Sequence, residues 1–218
     1  VGMEAVRYED MPQRQVAILD AAAEAFSQLG YEATSIDYVA DQIKATKGSV
    51  YYYYRSKTDL FAAVHRRAME MNLEIISPIA NDHEAKADER LRLMAMEHTH
   101  LMMEYTSYQR VTVQGVELHI TGSTTAAQRA ELTRIIDMRD EYESLFRLVI
   151  EEGISQGVFK PANAKLIVKP LLGALNWTTL WYRPRPKETE EDRTKMAEEI
   201  ANYLVDGLRL TAANAARK

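Results

Sequence analysis

Apolar residues recur at three- and four-residue steps along nearly the whole chain, while runs alternating apolar with polar are scarce. The pattern is that of amphipathic helices punctuated by glycine and proline, and it predicts an all-α fold. The first helix, about Gln13 to Leu29, sets Val16, Leu19, Ala22, Ala23, Phe26 and Leu29 on one stripe, with Gly30 as its stop. Ser35 is placed to cap a second, short helix bearing Ile36, Val39, Ala40 and Ile43. After a turn at Lys44 and Ala45, Thr46 caps a third through the tyrosine run, and Ser56 caps a fourth marked by Leu60, Val64 and Met71. Beyond the polar stretch Asn81 to Asp88 the expected helices run from Glu89 to Tyr105, Thr125 to Gln156, Ala162 to Tyr182 and Glu188 to Ala213. Thr106 to Ser123, rich in β-branched residues but without a partner strand, reads as irregular helix.

These elements group into a flexible arm (1–12), a three-helix N-terminal module (13–57) and a larger helical domain (58–218), which the 218 residues and 46% hydrophobic content readily support. The absence of cysteine removes disulfide, zinc-ribbon and thiol chemistry and suits a reducing compartment, the cytoplasm. No stretch has the form of a secretion signal. The most apolar run, Leu166 to Tyr182, contains Lys169, Pro170 and Asn176 and is too short and too polar to span a membrane. A net charge of −5 argues against a protein that coats nucleic acid. Its distribution matters more: between Ile43 and Thr58 lie Lys44, Lys47, Arg55 and Lys57 and no acidic residue.

Two short amphipathic helices around a tight turn, the second opening in small and basic residues, describe a helix-turn-helix whose second helix enters the DNA major groove. Thr46, Ser49 and the amides beside them can bond phosphate or base edges. Lys47 and Lys57 supply point charges, and Gly48 permits close backbone approach. Val50 and Tyr54 face inward, leaving Tyr51, Tyr52 and Tyr53 for phosphate bonds and thymine-methyl contact. A tyrosine run on its own more often merely packs a small core. Context separates the two readings, because Gly30-Tyr31-Glu32-Ala33-Thr34-Ser35-Ile36, Val39-Ala40 and Thr46 through Lys57 with Leu60 closely resemble the N-terminal signature of the TetR family over about residues 13 to 61. The resemblance implies a repressor that binds a palindromic operator as a homodimer and is released by a small-molecule effector. It also implies phosphate contact by Thr34, DNA contact by Thr46 to Ser49 and Tyr51 to Tyr53, and backbone contact by Lys57. Two departures stand out: Lys44 occupies a turn position where the family often has glycine, and Tyr54 replaces the usual phenylalanine.

A narrower similarity rests on Arg139-Asp140-Glu141-Tyr142, the Gly153 to Phe159 helix end, and Leu172 to Trp177 with Trp181-Tyr182-Arg183-Pro184. Together they resemble the branch that responds to acyl-coenzyme A thioesters. Flexible methionines and aromatics line adaptable apolar pockets as well as cores, so Met102, Met103, Tyr105, Trp177 and Trp181, with Arg139 for phosphate, are the candidate effector contacts. Gly173, Ala174, Ala197, Ile200, Ala201, Leu204 and Leu208 on the last two helices form the candidate dimer interface, since a two-fold operator needs a two-fold protein. Gly153-Ile154-Ser155-Gln156-Gly157 fits a hydrolase nucleophile elbow but lacks the preceding strand. The Glu97/His100 spacing lacks the second copy that a di-iron bundle needs, and His98, His100 and His119 read as satisfied or exposed rather than metal-binding. No enzyme activity, cofactor or metal is expected. A small helical-bundle enzyme acting on a thioester or apolar substrate is the competing reading.

Overall fold

The computed structural model describes residues 11–113 and 125–210. Among them helices carry the fold, with one isolated antiparallel bridge, Phe159 to Arg209. The chain divides into two compact units: Val1–Glu70 with Ser107–Ile136, and Met71–Thr106 with Asp137–Lys218.

The first unit contains α1 (Gln13–Ala33), α2 (Ile36–Gln42), α3 (Lys47–Tyr53) and the start of α4 (Lys57–Ala80). To these it adds most of α6 (Thr106–Val113) and the start of α7 (Ala126–Ser155). Gly30, at φ 78°, breaks the helical path of α1 as the sequence suggested, and one further turn carries the chain to Ala33. The buried arc of α1 is Ile18, Leu19, Ala22, Ala23, Ala25 and Phe26. Leu29, expected on that stripe, is exposed where the helix ends. Phe26 meets Phe61 edge-on at 5.0 Å, and Tyr31 meets the same ring at 5.0 Å. Such aromatic pairs add about 0.5–1.5 kcal/mol each to what burial supplies. Because Leu60, Phe61 and Val64 complete this core, the compact unit extends past residue 57. It then recruits α6 through the Tyr108 hydroxyl, which donates to Asp20 at 2.7 Å. Gln128 of α7 adds bonds to Ser56 at 3.2 Å and Asp59 at 3.0 Å. The expected irregular helix is regular over α6; residues 114–124 lie outside the described residues.

The second unit is built around α5 (Ala87–Glu104), whose Leu91, Met94, Ala95, Thr99, Leu101 and Met102 are enclosed. α10 (Glu190–Asp206) runs antiparallel along it, pinned by Arg193–Glu104 at 3.1 Å at one end and Arg209–Asp88 at 2.8 Å at the other. Thr189 and Asp192 form a reciprocal capping box at the start of α10. That helix is shorter than its sequence pattern: past Gly207 the chain extends, and Leu210 N–H donates to Val158 O while Lys160 N–H donates to Leu208 O, both at 2.9 Å. The expected Ala162–Tyr182 helix is two pieces, α8 (Ala164–Asn176) and α9 (Thr178–Trp181).

The Gly153-to-Gly157 pentapeptide is a helix terminus. Gly157 takes φ 72°, and the N–H groups of Val158 and Phe159 both return to the Gly153 carbonyl, at 2.9 and 3.0 Å. Phe159 folds back onto α7 so closely that a Cβ at position 153 would lie 2.2 Å from its ring. Ser155 Oγ donates to the Glu152 carbonyl within the same turn. Packing and capping therefore account for both glycines, with no strand preceding the serine.

Candidate DNA-binding surface

Ser35 Oγ accepts the Tyr38 amide at 3.1 Å to start α2, and Thr46 Oγ1 accepts the Ser49 amide at 3.3 Å to start α3. Between them Lys44 sits at φ 51°, its N–H reaching Asp41 O at 3.1 Å, while Ala45 N–H reaches Ala40 O at 2.8 Å. This is the left-handed turn that glycine adopts freely; in lysine it costs roughly 1–2 kcal/mol. The departure at this position thus keeps the turn and adds strain.

Val50 is fully buried and anchors α3, and Tyr54 is buried one turn on, as the spacing suggested. The Tyr54 hydroxyl accepts from Gln15 Nε2 at 3.2 Å, a bond phenylalanine lacks, and burial raises its pKa. Arg14 donates to Ser49 Oγ at 3.3 Å, so the first turn of α1 braces α3 twice. With Val50 and Tyr54 turned inward, Tyr51 and Tyr52 face solvent, Tyr52 being 83% exposed; Tyr53 is half-buried and packs edge-on against Tyr52 at 5.0 Å. Gly48 is exposed and has open space around it.

The four basic residues are committed unequally. Lys47 Nζ donates to Asp37 at 2.8 Å, a bond that raises its pKa, and lies 5.9 Å from the Tyr51 ring centre. Lys57 Nζ donates to the Tyr31 and Glu32 carbonyls at 2.8 and 3.2 Å and sits 4.4 Å from the Tyr31 ring centre. It therefore neutralises the carbonyl end of α1. Lys44 and Arg55 are exposed and carry no ion pair among the described residues. Thr34 is buried, and its hydroxyl donates to Gly30 O at 2.8 Å, tying the end of α1 to the start of α2.

In the second unit the candidate effector residues divide between core and surface. Met102 and Met103 are closed within the core, Met103 against Tyr182 and Ala197. Tyr105, Arg139, Trp177 and Trp181 are on the surface, Trp177 at 62% exposure. A cavity of about 470 Å³ lies where α4 ends and α5 begins, lined by Pro78, Ile79, Arg90, Arg92 and Leu93 among others. A second, of about 190 Å³, is lined by Ile150, Ile154, Phe159, Lys160, Ile167 and Leu208. His98 is buried and satisfied at both nitrogens: Nδ1 accepts from the Tyr142 hydroxyl at 2.7 Å and Nε2–H donates to Asn176 Oδ1 at 3.1 Å. His100 is half-buried, and His119 lies outside the described residues.

The candidate dimer residues separate into two sets. Ala197 and Ala201 are fully enclosed in the protomer, where α10 needs small side chains to lie against α5, so they have no surface for a partner. Gly173 and Ala174 are exposed; Ile200, Leu204 and Leu208 are half-buried. Leu166, Leu180, Trp181 and Tyr203 are large apolar side chains exposed on α8, α9 and α10, and Trp177 is exposed between α8 and α9.

Two family models match the chain: "Bacterial regulatory proteins, tetR family" over residues 18–64, and "Tetracyclin repressor-like, C-terminal domain" over 84–208. The chain belongs to the TetR family. This TetR-family regulator is 26% identical over 201 residues to the uncharacterized HTH-type transcriptional regulator YhgD of Bacillus subtilis, covering 89% of this chain and 96% of YhgD. Among solved structures it shares the fold of the ketosteroid transcriptional regulator KstR2 of Mycobacterium tuberculosis. That match has a TM-score of 0.79 and 18% identity, covering 92% of this chain and 97% of that one. It also shares the fold of AibR, solved in complex with isovaleryl coenzyme A and operator DNA, with a TM-score of 0.73 and 23% identity, covering 90% and 98%. Membership assigns α2 and α3 to the DNA-binding helix-turn-helix of a transcriptional regulator. No helix among the described residues is long and apolar enough to cross a membrane.

Sequence reasoning missed the bracing residues Arg14, Gln15 and Asp37. All three are polar positions outside any apolar period, and only the fold brings them to α3.

Proposed function

We propose that this TetR-family regulator is a homodimeric repressor that binds a two-fold operator through paired α3 helices and is released by an acyl-coenzyme A thioester. The observation that carries the DNA half is the start of α3, where Thr46, Lys47, Gly48, Tyr51 and Tyr52 are all exposed while Val50 fixes the helix from below. Hydroxyls, a lysine and open backbone are the groups that bond phosphate and base edges. Thr34 and Lys57 belong to the same reading, as residues that hold the α1 end and the backbone beside it. Dimerisation is supported by Leu166, Trp177, Leu180, Trp181 and Tyr203, because a single soluble chain rarely leaves so many large apolar side chains uncovered. Trp177 and Trp181 accordingly move from the effector site to the partner interface.

The effector class rests on the fold shared with AibR, whose complex contains isovaleryl coenzyme A. Ligand and DNA then oppose one another by linkage. The test is binding of the purified protein to the DNA immediately upstream of its own gene, with and without acyl-CoA thioesters of graded length. A thioester that releases this DNA, while the matching free acid and coenzyme A alone do not, is the expected result. Indifference to every thioester overturns the effector class, and failure to prefer the upstream DNA over random duplex overturns the repressor itself.

A further inference from the structure

Lys47 opens the recognition helix, yet its charge is already taken: the Asp37 carboxylate on α2 accepts from its ammonium at 2.8 Å. Both side chains are more than half exposed, 53% for Lys47 and 58% for Asp37. Such a pair is easily broken, because solvent and salt screen it and two long side chains must be held in one geometry. Ten residues separate the two, so the contact exists only when the helix-turn-helix is folded. No other cation pairs with Asp37 among the described residues. A DNA phosphate recruiting Lys47 must therefore displace the carboxylate and then tolerate it nearby.

We propose that Asp37 is a positioning residue that restrains Lys47 and so suppresses binding to DNA of arbitrary sequence. The inference rests on the DNA-binding reading of α3. Non-specific affinity comes almost entirely from cations that neutralise phosphates and release counterions. Holding one such cation against α2 lowers that affinity for every sequence, while an operator that places a phosphate within reach of Lys47 competes for it. The bland alternative is that Asp37, in the first turn of α2, merely stabilises that helix end. A purely helix-stabilising carboxylate leaves the salt dependence of DNA binding unmoved.

The experiment is fluorescence anisotropy on a mixed-sequence DNA duplex across a salt series, with wild type, Asp37→Asn, Lys47→Ala and the double variant, each checked for a cooperative melt. Asp37→Asn is expected to steepen the salt slope by about one unit per subunit, which raises affinity about fivefold per subunit near 0.15 M salt. On the Lys47→Ala background the same substitution is expected to leave the slope unchanged. An unchanged slope in Asp37→Asn, or an equal gain with and without Lys47, overturns the proposal and leaves Asp37 as a helix-end or simply repulsive charge. Absence of any salt-dependent binding by all four proteins overturns the DNA-binding reading on which it stands.

Discussion

At the scale of single residues, small polar decisions set the recognition surface. Tyr51 is exposed, and its hydroxyl is available to a phosphate. Tyr51→Phe should weaken operator binding by about 1 kcal/mol, the net value of one hydrogen bond, measured by anisotropy at fixed salt. Equal affinity would assign the ring to packing. Lys44 at φ 51° carries backbone strain that glycine removes, offset in part by the entropy glycine loses on folding. Lys44→Gly should stabilise the fold by up to about 1 kcal/mol in denaturant titration; destabilisation would show that the lysine side chain contributes more than its backbone costs. His98 tests the buried network. Burial lowers its pKa from 6.5 to about 4, so the unfolded chain binds the extra proton between those values. Its contribution is therefore full above pH 6.5 and is lost as pH falls toward 4, at about 1.4 kcal/mol per pH unit. His98→Gln should flatten the stability profile across that window, and an unchanged slope would place the titration elsewhere.

At the scale of elements, periodicity and caps carried most of the fold. Ser35, Thr46 and Gly30 mark real boundaries because capping is local chemistry, visible without tertiary structure. The end of α10 has a tertiary cause: it stops at Asp206 because the following residues pair with 158–160, which is not local in sequence. The expected 162–182 helix divides at Trp177, where Thr179 Oγ1 donates to the Asn176 carbonyl at 2.9 Å. Arg14, Gln15 and Asp37 were invisible in the sequence because only the fold brings them to α3. The helix end at Gly153 gives a direct test. Gly153→Ala drives a methyl into the Phe159 ring and should destabilise by about 1–3 kcal/mol, the usual cost of overpacking. Rescue by Phe159→Leu in the double variant would confirm the ring as the obstacle, whereas a neutral Gly153→Ala would contradict the packing account.

At the scale of the whole molecule, a net charge of −5 is compatible with DNA binding only because the positive charge is gathered on one short stretch. One such stretch reads too little DNA to be selective, so the account requires two copies. Trp177→Glu places a charge in the exposed apolar face and should shift a micromolar dimer toward monomer in sedimentation velocity; a wild-type monomer would remove the interface. The most direct test of the central claim is a hydroxyl-radical footprint on the DNA upstream of the gene. Two equal protected patches related by a two-fold axis are predicted, their centres one helical turn of about 34 Å or a multiple of it apart. A single unpaired patch, or protection no different from that on random DNA, would contradict it.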